Sequence, residues 1–116
     1  MRFVEIKGKG IKLTDANIEY ARKKIESLSK FLRNFNSDTV EVRIEIGKDK
    51  HHRKGDVFYA EVNLKLGAKL LRAVSEHEDM FYAITDIKDK LQEEIKDYAG
   101  KLRGKVRKQK GHKEME

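Results

Sequence analysis

Apolar and polar residues alternate along several stretches of the chain, most clearly in Val40–Ile46. Successive side chains of a strand point to opposite faces of its sheet, so this stretch predicts a strand with one buried face. The same alternation continues in Val57–Leu66, and shorter apolar runs at Phe3–Lys7 and Lys69–Val74 predict two further strands. The polar stretch between residues 47 and 56 predicts a loop.

Two other stretches carry apolar residues at spacings of three and four, as one face of a helix requires. The first follows Thr14, a good N-cap, and ends in the break at residues 34–37. The second follows Asp79, whose carboxylate can accept from the free N–H groups of a first helical turn. We expect this second helix to end at about Gly100 or within two further turns, and residues 109–116 to be disordered.

The predicted order is β-α-β-β-β-α, an α+β fold in which two helices pack on one face of a four-stranded sheet. The β-α-β opening predicts parallel first and second strands, and the short connections that follow predict an antiparallel meander. The opposite sheet face should be open to water, because the chain offers no further cover for it. It would carry Glu41, Arg43, Glu45, Glu61, Asn63 and Lys65.

Length, composition and charge predict one domain over residues 1–100 and a basic extension over residues 101–116. The 116 residues include no cysteine, no apolar run of membrane-spanning length and no signal peptide, so we expect a soluble cytoplasmic protein. The net charge is +7, but the first 100 residues hold 20 basic and 18 acidic residues. Binding of a polyanion by the folded part would therefore depend on local clusters.

Basic residues cluster at the first helix (Arg22, Lys23, Lys24, Lys30, Arg33) and in the loop that contains Arg53 and Lys54. Such a cluster is most often a solvated face, and the functional alternative is contact with nucleic-acid phosphates. The aromatic residues Phe31, Tyr59, Phe81 and Tyr82 could stack on bases, but their phasing favours packing.

The candidates for catalysis are weaker. His51 and His52 are adjacent in the basic loop, and no cysteine or nearby carboxylate pair completes a zinc-binding set. His77, Glu78 and Asp79 suggest acid–base chemistry, although helix capping explains the carboxylates better. We therefore predict no enzyme, no metal and no cofactor, with a metal-dependent hydrolase built on these histidines as an alternative.

The run His77-Glu78-Asp79-Met80-Phe81-Tyr82-Ala83-Ile84 after a strand, the basic first helix and the element order resemble the ribosome hibernation promoting factor family, which includes ribosome-associated inhibitor A. Asp89-Lys90-Leu91 also fits its second helix, and the resemblance covers about residues 1–100. It implies a fold similar to double-stranded-RNA-binding domains, without catalysis. It further implies binding in the mRNA channel of the small ribosomal subunit across the A and P sites. There the domain would exclude tRNA and mRNA and keep ribosomes inactive under stress.

The resemblance also implies which residues contact ribosomal RNA phosphates. Lys24, Lys30 and Lys90 match basic positions of the family, whereas Ser27, Glu93 and Asp97 stand where relatives often or usually carry basic residues. Residues 76–98 hold eight acidic and three basic residues, which shifts the expected contacts toward the first helix, Lys90 and the tail. The predicted RNA-binding residues are Arg22, Lys23, Lys24, Lys30, Arg53, Lys54, Lys90, Lys101 and Arg103.

The predicted partner is the small ribosomal subunit, with no membrane and no small-molecule substrate. Long members of the family add a C-terminal dimerising domain, so this chain is either a monomeric short form or the N-terminal domain of a long form. Two further alternatives remain open. One is a general double-stranded-RNA-binding module, and the other is a protein-interaction domain that docks through the open strand face.

Overall fold

Four strands and two long helices follow one another in the predicted order. The structure, a computed structural model, describes residues 1–49 and 57–115, with side chains described as far as residue 102. The elements are β1 Arg2–Lys9, α1 Asp15–Glu26, a 3₁₀ helix Ser27–Phe31, a 3₁₀ turn Ser37–Thr39, β2 Val40–Asp49, β3 Val57–Leu66, β4 Lys69–His77 and α2 Met80–Met115.

The sheet has the strand order β1-β2-β3-β4. β1 pairs with β2 in parallel, and β2, β3 and β4 form an antiparallel meander. In the centre of the sheet Ile44 of β2 pairs with Ile6 of β1 and with Val62 of β3. The predicted α+β fold and its strand pairing are therefore confirmed.

The core lies between the sheet and the two helices. Ala21 and Ile25 of α1 and the central residues of β2, β3 and α2 have almost no exposed surface. Leu28 and Leu32 remain buried beyond the end of α1, although the chain there is a 3₁₀ helix rather than the predicted continuous α-helix. Among the described side chains of α2, the fully buried apolar residues are Ala83, Ile84, Ile87, Leu91 and Ile95.

Both helices begin at the predicted caps. The Thr14 hydroxyl accepts from the N–H of Asn17, and the Asn17 side chain accepts from the N–H of Thr14, which completes a capping box. At α2, Oδ1 of Asp79 accepts from the N–H of Phe81 at 2.8 Å, and Nδ1 of His77 accepts from the N–H of Asp79 at 3.0 Å. These contacts fix the entry of each helix, because they satisfy N–H groups that have no partner within the helix.

Two predicted boundaries differ from the structure. β2 continues through Gly47 to Asp49 instead of ending at Ile46, because Gly47 still pairs with Tyr59 of β3. α2 runs without a break past Gly100 to Met115, where the sequence predicts an end at about Gly100 or within two further turns and disorder from residue 109. One glycine costs a helix interior only about 1 kcal/mol, so Gly100 does not have to end it.

The Tyr59 ring covers Gly47 on the open sheet face and fills the space that a side chain at position 47 would need. A Cβ atom at Gly47 would overlap the Tyr59 ring. Burial in this position raises the pKa of the Tyr59 hydroxyl, and the neighbouring carboxylates Glu45 and Glu61 raise it further. An aromatic ring over a cross-strand glycine supports the pairing of β2 with β3 where both strands approach residues 50–56.

Candidate nucleic-acid interface

On the open face of the sheet, Arg43 and Lys65 form no ion pair in the described part of the chain, and three other basic residues pair with carboxylates on neighbouring strands. Such exposed pairs contribute little to stability, but each of them neutralises a cation that would otherwise attract an anion. The cross-strand pairs are Arg2–Glu41, Lys7–Glu45 and Arg72–Glu61. Glu5 also lies 3.4 Å from Lys7 on the same strand. This face therefore presents both signs of charge in close alternation.

The helical side of the molecule carries basic residues without a carboxylate partner in the described part of the chain. Within the described part of the chain, the basic residues there include five that form no ion pair with a carboxylate. These residues, called here the helical-face cations, are Arg22, Lys24, Lys30, Arg33 and Lys96. All except Lys24, which is half-buried, are exposed. Unneutralised cations on one face are what a polyanion would encounter first.

Aromatic rings hold most of these cations in place. The Arg22 guanidinium lies 5.6 Å from the centre of the Phe3 ring, and the Lys24 ammonium lies 5.5 Å from that of Tyr20. Cation–π attraction of this kind contributes about 0.5–1 kcal/mol at an exposed site without cancelling the charge. The cations are therefore positioned and remain positively charged toward solvent.

Tyr20 links α1 to the first turns of α2. Its ring meets Phe81 edge to face at 4.8 Å between centroids, and its hydroxyl shares a hydrogen bond with that of Thr85 at 3.0 Å. Lys24, which lies over the same ring, is thus fixed at the junction of the two helices.

Phe31 forms a second junction nearer the other end of the helices. The ammonium groups of Lys30 and Lys96 lie 5.2 and 5.3 Å from the centre of its ring. Arg33 and Asn34 line the same cleft. The Phe31 ring thus holds one lysine from the 3₁₀ helix and one from α2 beside a single cleft.

The RNA-binding residues predicted from the sequence differ in their surroundings in the structure. Arg22, Lys24 and Lys30 belong to the helical-face cations, whereas Lys23 lies 3.8 Å from Glu19 in an ion pair one turn apart. Lys101 is exposed on α2. Arg53 and Lys54 lie outside the described residues, and Arg103 lies on the helical backbone without a described side chain.

Lys90 is held by contacts within the protein. Its ammonium donates to the backbone carbonyl of Val74 on the edge strand β4 at 2.9 Å and lies 3.3 Å from Oδ2 of Asp86. Ser75 donates a hydrogen bond to the same Asp86 oxygen. This hydrogen bond, with a further contribution from Lys90, lowers the pKa of the Asp86 carboxyl. Lys90 therefore fastens α2 to β4 and presents only part of its charge outward.

The aromatic residues are not all packed as the sequence predicts. Phe31 packs against the core and Tyr59 covers Gly47, but Tyr82 is 63% exposed and Phe81 is 44% exposed. The Tyr82 ring lies against the His77 ring, at 5.0 Å between centroids. Met80, Ala83 and Ile84 of the same turn are buried, so Phe81 and Tyr82 are more exposed because they lie away from the buried face of the helix.

Two helical-face cations are missing from the RNA-binding residues predicted from the sequence: Arg33, although it belongs to the basic cluster of the first helix, and Lys96. Lys96 was obscured by the acidic character of its helix as a whole. Its position next to the buried Ile95 was the available signal, because it places the lysine at the edge of the buried face.

The alternative of a metal-dependent hydrolase needs a metal-binding cluster, and the described residues do not form one. Among residues 1–49 and the described part from residue 57 onward, no three His, Cys, Asp or Glu side chains are placed to hold a metal ion. His51 and His52 lie outside the described residues. In the same described part, none of the helices is long and apolar enough to cross a membrane.

Comparison with known proteins gives concordant matches. The family model described as "Sigma 54 modulation protein / S30EA ribosomal protein" matches residues 4–103. A ribosome hibernation promotion factor from Lactococcus lactis subsp. cremoris is 29% identical over 104 residues. That match covers 88% of this chain but 52% of the relative, so the chain spans about half the relative's length.

Solved structures match the fold. The N-terminal domain of Protein Y from Thermus thermophilus has a TM-score of 0.69 at 21% identity, over 84% of this chain and 99% of that one. A ribosomal subunit interface protein from Coxiella burnetii has a TM-score of 0.67 at 19% identity, over 86% of this chain and 99% of that one. At these identities the likeness concerns the fold.

Proposed function

Since this chain belongs to the Sigma 54 modulation protein / S30EA ribosomal protein family, we propose that it is a ribosome hibernation factor that binds the small ribosomal subunit. The relative from Lactococcus lactis is named a ribosome hibernation promotion factor, and this chain aligns with about half of it. The proposed action is occupancy rather than catalysis, and it takes place in the cytoplasm, where ribosomes are.

The contrast between the two faces of the molecule is the observation that carries the proposal. Three cations of the sheet face, Arg2, Lys7 and Arg72, pair with carboxylates across strands, whereas none of the helical-face cations pairs with a carboxylate in the described part of the chain. Ribosomal RNA presents closely spaced phosphates, and each cation that contacts one releases condensed counterions. The helical side is therefore the side proposed to face the ribosomal RNA.

The proposed mechanism is steric. The buried helix–sheet core makes the domain a rigid body, and the helical-face cations fix its position through phosphate contacts that carry no sequence information. A rigid body held in the mRNA channel across the A and P sites excludes mRNA and tRNA by volume alone. No bond is made or broken, so the ribosome returns to activity when the protein leaves.

Competition on isolated small subunits tests this proposal. The purified chain should co-sediment with small subunits and displace bound mRNA and tRNA in the same concentration range. Co-sedimentation that leaves mRNA and tRNA in place would contradict the proposed position on the subunit.

A plain RNA duplex serves as the second arm of the experiment. The proposal predicts clearly weaker binding to the duplex than to small subunits, because only the subunit offers a complementary channel. Equal affinity for both would replace the hibernation function with that of a general double-stranded-RNA-binding module.

A further inference from the structure

One row of residues crosses the open face of the sheet and carries a cation, a glycine, an aromatic ring and a carboxylate. Lys9 of β1 pairs with Gly47 of β2, and Gly47 pairs in turn with Tyr59 of β3. Glu76 of β4 pairs with Tyr59 from the other side. Paired residues point to the same face of a sheet, so these residues, called here the Tyr59 row, lie side by side.

A cavity of about 380 Å³ lies over the Tyr59 row. Ligand cavities in proteins commonly measure roughly 300–1,000 Å³, so this one admits a molecule of the size of a nucleotide. The Tyr59 ring rests on the backbone of Gly47, which has no side chain to displace it. Because Tyr59 is only half-buried, part of its ring is left facing the cavity.

The two ends of the row carry opposite charges. Neither the Lys9 ammonium nor the Glu76 carboxylate forms an ion pair or hydrogen bond among the described residues, and both side chains are exposed. Neighbouring strands lie roughly 4.8 Å apart, so the steps from β1 to β4 separate the two ends by roughly 14 Å. Lys48 and Asp49 also line the cavity, but their opposite charges offset each other. The row therefore has a positive end, an aromatic middle and a negative end.

We propose that the Tyr59 row binds a free guanine mononucleotide. Nucleobases stack on an aromatic ring that is open on one face, and the Lys9 ammonium attracts the phosphate. The ionised Glu76 carboxylate only accepts hydrogen bonds. The Watson–Crick edge of guanine offers it two adjacent donors, the ring N–H and the amino group, whereas adenine places a ring acceptor beside its amino group. The negative end of the row thus selects guanine.

The Tyr59 row and the proposed ribosomal-RNA surface lie on opposite sides of the molecule. The row is on the open sheet face, and the helical-face cations lie on the side of the helices. A bound nucleotide uses none of those cations and leaves them free for another ligand. The inference therefore goes beyond the proposed function and does not depend on it.

Calorimetric titration of the purified chain tests the ligand chemistry. The probes are guanosine monophosphate, adenosine monophosphate, guanosine and inorganic phosphate, and the last three each lack one feature of the first. We expect guanosine monophosphate to bind about tenfold more tightly than any other probe, since one hydrogen bond to a charged group corresponds to roughly that factor. Equal affinity for the two nucleotides, or no binding of guanosine monophosphate at millimolar concentration, would overturn the proposal.

Two pairs of matched variants test the ends of the row. Glu76→Gln should bind guanosine monophosphate about tenfold more weakly, whereas Glu78→Gln, the same change outside the cavity, should bind it like the native chain. Lys9→Gln should weaken the binding of guanosine monophosphate but not of guanosine, and Lys12→Gln should affect neither. All four side chains are exposed, so the fold is preserved in each variant. Equal affinities within either pair would overturn the assignment of that end.

Backbone amide chemical shifts locate the ligand on the unmodified chain. Guanosine monophosphate should shift the amides of Gly47 and Tyr59 and leave those of Arg22 and Lys96 unchanged. Shifts confined to the helical-face cations would overturn the Tyr59 row as the site. A short oligoadenylate with one central guanosine separates a free nucleotide from RNA. Tighter binding of that oligomer at Gly47 and Tyr59 would overturn the free mononucleotide as the ligand.

Discussion

Lys90 is more important for the fold than its place among the predicted RNA contacts suggests. It bridges α2 to the backbone of the edge strand β4 through the Val74 carbonyl and pairs with Asp86. An ammonium that occupies a carbonyl of an edge strand also makes that edge less available for pairing with another chain. These contacts span 16 residues of sequence, so no local pattern could have predicted them.

Replacement of Lys90 by Ala should lower the stability by about 1 kcal/mol, the usual net contribution of one hydrogen bond. Lys101→Ala is the control, because Lys101 is exposed on the same helix. Thermal unfolding followed by circular dichroism measures both. Equal melting temperatures for the two variants would show that the Val74 contact contributes nothing.

The lowered pKa of Asp86 predicts how the stability of the fold changes in acid. Its pKa is lowered in the folded state, so its contribution to stability is present above the unfolded value of 3.8 and disappears as the pH falls through the folded value. The difference in melting temperature between the native chain and Asp86→Asn should therefore be constant near neutral pH and shrink below about pH 4. A difference that grows with acidity would contradict the assigned Ser75 and Lys90 contacts.

At the scale of elements, helix starts were predictable and helix ends were not. Thr14 and Asp79 cap their helices as the sequence predicts, because a cap depends on residues within one turn. The change from α1 to a 3₁₀ helix at Ser27 and the continuation of α2 past Gly100 depend on tertiary packing and on small energies. The Lys96–Phe31 contact was likewise beyond prediction, because it joins two elements that are distant in sequence.

Substitution of two neighbouring carboxylates, Asp79 and Glu78, tests the cap of α2. Asp79→Ala should destabilise the protein by about 1 kcal/mol, because it removes the acceptor for the Phe81 N–H. Glu78→Ala, one residue earlier, makes no capping hydrogen bond in the described structure and should have a smaller effect. Chemical denaturation of both variants measures the difference, and a larger loss for Glu78→Ala would rule out Asp79 as the cap.

Two glycines should respond to substitution with opposite signs. Gly47→Ala forces the Tyr59 ring off β2 and should cost about 1–3 kcal/mol. Gly100→Ala meets nothing within 4 Å and removes a glycine from a helix interior, so it should gain up to about 1 kcal/mol. Denaturation midpoints measure both changes. A neutral Gly47→Ala would contradict the packing of Tyr59, and a destabilising Gly100→Ala would contradict the continuous helix.

At the scale of the whole molecule, the fold separates two electrostatic faces. The sequence predicts the strand order, the buried faces and the family, all of which are confirmed, because they depend on periodicity and on one distinctive run of residues. The net charge of each stretch was also visible. Which cations are neutralised was not, because most of the ion pairs of the sheet join residues on different strands. The RNA contacts themselves remain a prediction.

Binding to purified small ribosomal subunits over a range of salt tests the central claim most directly. The native chain, Lys24→Glu on the helical side and Lys65→Glu on the sheet face are compared, since the two variants carry the same change of charge. We predict that affinity falls steeply with salt, that Lys24→Glu binds more weakly, and that Lys65→Glu binds like the native chain. Binding that is absent, or insensitive to salt, or equally weakened by both variants, would contradict the account.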